Sequence, residues 1–371
     1  MTESLWRNPD FAKLWAGQTV SELGSVVTRT AVPLVALLVL GAGPFEMAML
    51  IVAASLAVLL VGLFAGAWVD RLHRRPLLIW ADVVRSGLLV SIPAAWMLGL
   101  LHIQQLYVVV FLEGCLGALF DAAYPAYVPS LIGVERVVEG NSKLATSSSL
   151  AEIGGPGLAG GLVQLIGAPL AMLVDAISFV ISALSLILIR HREPPRPPRT
   201  EPTPIRREIL EGLALIRRHP ILLPLTLRSV IAHVAGSFYG VLYTIYLITV
   251  LHLTPFLLGV VVSAGGVGSL VGSFYASRVI RRFGFGPAMI TMATAASIIG
   301  VLTPLAGGPL FLATLMVFLP QLIGDGLQTV EGVAELSLIQ GVIPDRILGR
   351  VNANLEVFSH GIAYPLGALL A

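Results

Sequence analysis

The sequence predicts an all-α polytopic membrane protein, and three observations carry that prediction. Eleven stretches are long and apolar enough to cross a bilayer, charge is confined almost entirely to alternate loops, and the second half of the chain weakly repeats the first. Of the 371 residues 56% are hydrophobic and 12% charged, where soluble domains hold roughly 45–50% and 25%. At a mean hydropathy of +0.89, so much apolar surface stays out of water only against lipid or neighbouring helices. That composition excludes both a soluble globular domain and a disordered chain.

A spanning helix needs about 20 mostly apolar residues. Such stretches lie at 15–40, 46–68, 77–100, 106–129, 144–166, 168–189, 221–250, 256–277, 287–306, 309–338 and 352–371. They are too long and too continuously apolar for the alternating strands of a barrel. The opening MTESLWRNPDFAKL runs into the first of them without a small-residue cleavage site, so no removable leader is expected. The one long break is 190–220, where RHREPPRPPRTEPTP is too rich in proline for a helix and reads as a linker. Behind it Ile205, Ile209, Leu213 and Ile216 form an apolar stripe, read either as a surface-lying amphipathic helix or as a lead-in to the seventh span. The expected organisation is a six-helix bundle at 1–189, a linker at 190–220 and a second bundle at 221–371.

Twenty of the 23 Lys and Arg residues fall in the N-terminal tail or the even-numbered loops, and three, Arg29, Arg85 and Arg228, lie within spans. Basic residues follow the cytoplasmic side. The N-terminus and charged loops are therefore expected in the cytoplasm, and the short uncharged turns across a cell membrane. The halves repeat at offsets of 207–211: Asp70 to Arg75 with Ser277 to Arg282, Arg7-Asn8-Pro9 with Arg218-His219-Pro220, and Glu135-Arg136 with Asp345-Arg346. Parallel six-span repeats mark secondary transporters with a site between two bundles. On that arithmetic a twelfth span ends near residue 400, so the second bundle is expected to be incomplete by about 30 residues.

Gly62-Leu63-Phe64-Ala65-Gly66-Ala67-Trp68-Val69-Asp70-Arg71-Leu72-His73-Arg74-Arg75 is a glycine-faced helix end followed by an acid and a basic cluster. It resembles the cytoplasmic signature of the major facilitator superfamily. Asn8-Pro9-Asp10-Phe11, Asp121-Ala122-Ala123-Tyr124 and Glu139-Gly140-Asn141-Ser142-Lys143-Leu144 look like the drug and siderophore exporter branch, typified by macrolide-efflux and enterobactin exporters. The resemblance implies a major facilitator fold, an alternating-access mechanism and a monomer. Gly62 and Gly66 are expected to admit a neighbouring helix closely. Asp70, Arg71, Arg74 and Arg75, joined by Asp82 and Arg85, are read as a cytoplasmic gate or as a purely topogenic loop. In the fifth span Gly155, Pro156, Gly157, Gly160 and Gly161 resemble the glycine–proline motif of antiporters and predict a bent, close-packing helix.

Charges within spans cost about +2.5–3.5 kcal/mol each, so they face a wet cavity or a partner. Glu22 and Arg29 share one face of the first span, and His233 occupies the position in the seventh that corresponds to Glu22. Glu113 and Asp121 share a face of the fourth, and Glu152, Asp175, Asp325, Glu331, Glu335 and Glu356 complete the set. Glu22, Glu113 and Asp325 lead as proton or substrate sites. Tyr239 and Tyr243 sit one turn apart on the seventh span and read either as cavity aromatics or as packing. Enzymatic readings find no support: Cys115 is alone, the seven His show no ligand spacing, and no phosphate-binding glycine loop or nucleophile set stands out. No metal, cofactor or nucleic acid is expected; the expected partners are the lipid bilayer, a small-molecule substrate and protons. Proton-driven efflux of amphiphilic molecules is the leading function, with an uncoupled facilitator or importer, or a non-transporting scaffold or receptor, as alternatives.

Overall fold

The structure is a computed structural model that describes residues 5–69, 72–191, 213–343, 351 and 354–371, without the side chains of residues 63, 64, 66, 67 and 134. The chain divides into two compact units, Met1–Pro197 and Pro198–Ala371. Gly66, Asp70, Arg71, Ile205, Ile209, most of the linker and the Asp345-Arg346 repeat lie outside what is described.

The first unit contains α1 (Pro9–Leu34), α2 (Pro44–Val69), α3 (Arg74–Met97), α4 (Ile103–Ile132), α5 (Val137–Ile166) and α6 (Ala168–Leu188). Pro9 opens α1, where a missing amide hydrogen costs nothing. Asn8 Oδ1 accepts from the amides of Asp10 at 3.0 Å and Phe11 at 3.2 Å. Asn8→Ala is expected to destabilise the unit by roughly 1 kcal/mol, read as a small fall in the apparent melting temperature of the purified chain; an unchanged value would deny the cap that role. Where Pro33 interrupts the ladder, α1 loosens into a wide turn at Val35–Val39, closed by Leu40 N to Val35 O at 3.2 Å. Only Gly167 separates α5 from α6, and its φ of +85° is one that a side chain would strain.

Within this unit α1 lies against α5 and α6, α3 against α4 and α6, and α2 against α4. Helix α6 shows how the pattern is inverted relative to a soluble protein. Ile177, Leu184 and Ile187 are exposed while Asp175, Ser178 and Ser182 are at most 2% exposed, as expected where the surrounding solvent is hydrocarbon and polar groups must find partners inside. Close approach uses small residues. A Cβ on Gly155 would lie 2.6 Å from Val26 Cγ1, so the fifth-span motif seats α5 against α1. At Gly62, among the described residues, only Val58 of its own helix comes within 4 Å of an added Cβ. A tight contact of α2 is made by Ala57 against Gly114 of α4, where a Cβ would sit at 2.8 Å.

The second unit contains α7 (Leu222–Ile245), α8 (Pro255–Phe283), α9 (Phe285–Gly300), α10 (Leu310–Leu319), α11 (Asp325–Val342) and the short α12 (Tyr364–Leu369). A wide turn at Pro320–Gly324 joins α10 and α11 into one rod, again at a proline. Gly284, at φ +80°, is the single residue between α8 and α9. Helix α8 packs against α11, α9 against α11, and α12 against α7. Among the described residues eight helices are long and apolar enough to span: Pro9–Val39, Pro44–Gly62, Arg74–Met97, Ile103–Ile132, Ala168–Leu188, Leu222–Val250, Pro255–Phe283 and Leu310–Val342. The fifth, ninth and eleventh stretches of the sequence fall outside that set; α9 has only 16 residues and α5 carries a polar Thr146-Ser147-Ser148-Ser149 run.

Candidate functional site

Helices α3, α4 and α6 bring four ionisable side chains together in the first unit. Arg85, whose side chain is 12% exposed, donates from Nε to Glu113 Oε1 at 3.0 Å and from Nη2 to the same oxygen. Its guanidinium lies 4.0 Å from the centroid of the Phe179 ring, which adds a cation–π contact. Asp175 is 1% exposed and accepts from Ser178 Oγ at 2.9 Å, with Gly24 of α1 leaving room for both side chains. Asp82 is fully buried, and neither carboxylate oxygen has a hydrogen bond of ordinary length. Beside it, the Ser182 hydroxyl accepts from Gln18 Nε2 at 3.0 Å and so keeps its own hydrogen free to turn toward Asp82. Both aspartates feel the field of Arg85. Three carboxyl groups thus share one guanidinium, and the two aspartates do so in the core, where an unpaired charge is costly.

Of the expected gate, Asp70 and Arg71 lie outside the described residues. Arg74 Nη1 donates to the Ala126 carbonyl at 2.5 Å, and Arg75 reaches the Leu186 and Ile187 carbonyls at 2.9 and 2.8 Å. Arg75 closes the carbonyl end of α6, where a cation also meets the negative end of the helix dipole, while Arg74 reaches α4 more than a turn before its end. Asp82 and Arg85 do not join them. They lie two to three turns further along α3, about 12–16 Å away at 1.5 Å per residue, and belong to the buried cluster. Lys13 donates to the Leu188 carbonyl at 2.9 Å and Asp10 accepts from the amides of Arg190 and His191, so the charged ends of α1, α3 and α6 gather at one end of this unit.

Arg29 pairs with Glu152 at 2.5 Å across α1 and α5, both side chains being more than half exposed. Glu22 lines a cavity of ≈ 180 Å³ with Gln18, Tyr124 and Ser147, while Asp121 is exposed on α4.

In the second unit the Tyr239 and Tyr243 rings lie 5.1 Å apart. Tyr243 donates to Gln321 at 3.3 Å and Gln321 to Asp325 Oδ2 at 3.0 Å, so Asp325 ends a polar chain rather than standing alone. His233 pairs its Nδ1 with the Ser229 carbonyl at 2.7 Å and sets its ring edge-on to His360 at 4.8 Å. Sequence reasoning did not single out the clamp formed by Arg228 with Glu331 and Glu335. Its signal was present: one arginine inside a span, and two glutamates one turn apart inside another. The pairing of His360 with Glu356 at 3.0 Å was likewise missed.

Residues 14–368 match the sequence profile of the Major Facilitator Superfamily. The chain belongs to that superfamily. Among superfamily members, the Multidrug efflux pump Tap of Mycolicibacterium fortuitum is 28% identical over 375 residues, covering 97% of this chain and 87% of that protein. The uncharacterized MFS-type transporter YvqJ of Bacillus subtilis (strain 168) is 21% identical over 374 residues, covering 100% and 86%. Its relative YfiS from the same organism is 27% identical over 230 residues, and the aligned part spans 53% of YfiS. The fold is shared with a bacterial homologue of the iron transporter ferroportin in its inward-facing state, at TM-score 0.74 and 22% identity over 99% of this chain and 92% of that one. It is also shared with the nucleoside transporter NupG, at TM-score 0.73 and 10% identity over 97% and 89%. Superfamily members are transporters, so the chain is a multi-pass membrane transporter and not an enzyme.

Proposed function

We propose that this superfamily member is a proton-coupled exporter of amphiphilic small molecules, working by alternating access in a cell membrane with its N-terminus in the cytoplasm. The observation that carries the reading is the buried cluster of Asp82, Arg85, Glu113 and Asp175, in which carboxyl groups outnumber the cation they share. A proton gained or lost in such a cluster changes what Arg85 must pair with. The exposed Arg29–Glu152 pair and the Glu22 cavity offer a polar path alongside it. Export of drug-like molecules is supported by the similarity to a multidrug efflux pump along nearly the whole chain.

The test is flux in proteoliposomes. With an acidic lumen, fluorescent amphiphiles such as ethidium are expected to accumulate several-fold above vesicles without a gradient, and nigericin to abolish the excess. Flux indifferent to the gradient would remove the coupling, and no flux of dyes, macrolides, tetracyclines or siderophores would remove the export reading itself.

A further inference from the structure

A second polar site lies wholly within the second unit. A cavity of ≈ 300 Å³ is lined by His233, His360, Glu356 and Ser229 together with leucines such as Leu225 and Leu336. That volume is at the small end of ligand pockets. The hydrogen-bonding state of its imidazoles follows from their partners. A carbonyl only accepts, so His233 Nδ1 carries the hydrogen it gives to Ser229 at 2.7 Å. A carboxylate only accepts, so His360 Nδ1 carries the hydrogen directed at Glu356 at 3.0 Å. In the neutral rings both Nε2 atoms are then acceptors, held in place by partners of their own helices. Arg228 adds no free cation, because Glu331 and Glu335 clamp it. Of the two carboxylates that line the pocket, Glu335 is held by Arg228 and Glu356 faces His360, so Glu356 has no arginine partner among the described residues and the lining is acidic, rich in acceptors and partly leucine.

We propose that this pocket binds the N–H-bearing ammonium head of an amphiphilic amine, with Glu356 neutralising the charge and the His233 and His360 Nε2 atoms accepting its hydrogens. The leucine wall takes the first carbons of the tail. A metal ion suits the pocket less well, since among the described residues no three His, Cys, Asp or Glu side chains are grouped to hold one. A site built around acceptors discriminates strongly against a ligand that lacks the matching hydrogens. The inference deepens the export reading, and it rests on that reading for the amine being a transported molecule.

The experiment uses the full chain in lipid nanodiscs, with hexylamine and hexyltrimethylammonium titrated by calorimetry at pH 7.4 and empty nanodiscs subtracted. Hexylamine is expected to bind at least tenfold more tightly. His233→Phe and His360→Phe, which keep a ring of similar size, are each expected to bring hexylamine to the level of the quaternary ion and to leave the latter unchanged. Glu356→Gln, at an exposed position, is expected to weaken both. Equal affinities in the parent chain, discrimination that survives both histidine changes, or micromolar Zn²⁺ excluding the amine through the two histidines would each overturn the proposal. Gradient-driven dye flux alongside any of these outcomes leaves the export reading standing, whereas amine discrimination without flux removes that reading alone.

Discussion

Arg85→Met is expected to remove most of the folded, monodisperse protein recovered after solubilisation, a larger loss than any other single change in the first unit. Taking one partner from a buried ion pair strands the other charge, at a cost of roughly 3–5 kcal/mol. That is a large fraction of the 5–15 kcal/mol by which domains are usually stable, by order of magnitude. Here the loss is compounded, because Asp82 and Asp175 also depend on Arg85 and Phe179 loses the cation over its ring. The two partners are therefore unequal. Glu113→Gln leaves Arg85 two further carboxyl groups and is expected to fold with a modest fall in apparent melting temperature. Arg85→Met combined with Glu113→Met is expected to recover much of the yield lost by the first change alone. Size-exclusion profiles and melting curves of the three variants decide it, and a single Arg85→Met variant as stable as the parent would show that the cluster is not held by this cation.

The second large effect is expected at Gly268. A Cβ there would collide with the Leu322 carbonyl, one on Gly272 with the backbone of Gly326, and one on Gly265 with the Asp325 carboxylate. Helix α8 thus meets the α10–α11 rod through three glycines, and at Gly268 and Gly272 the contact is backbone on backbone, with no flexible side chain that can yield. Overpacking a core costs about 1–3 kcal/mol even where side chains can move. Gly268→Leu is expected to exceed that range and abolish the folded second unit, and Gly268→Ala to weaken it clearly. Gly236→Ala on α7, where no atom lies within 4 Å of the added carbon, is the control expected to be neutral or slightly stabilising through helix propensity. Near-parental melting of Gly268→Leu would mean that α8 and the rod part without consequence.

The helices were legible because a bilayer imposes length and hydropathy on each segment separately. The stretch at 309–338 and the helical rod Leu310–Val342 differ by only a few residues at their ends. The individual charged residues were legible too, since an Arg or Glu in an apolar span announces itself. Their partners were not. Arg85 was grouped with Arg74 and Arg75 by proximity along the chain, yet three turns of helix carry it to Glu113, 28 residues away in sequence. The contact of Ala57 with Gly114 was not legible either, since nothing in the spacing of α2 marks that height of crossing.

Sequence alone was sufficient for what each segment must do to live in lipid: be helical, be apolar outward, and end where charge or proline ends it. Membership of a transporter superfamily also lay within its reach, through motifs read in order along the chain. The tertiary structure decided which polar groups meet, since that depends on the rotation and height of each helix against its neighbours, quantities that hydropathy does not encode. Asp82 is an ordinary acid in an amphipathic pattern until α6 closes over it. His233 and His360, 127 residues apart, become one pocket only because the helices that carry them are packed side by side.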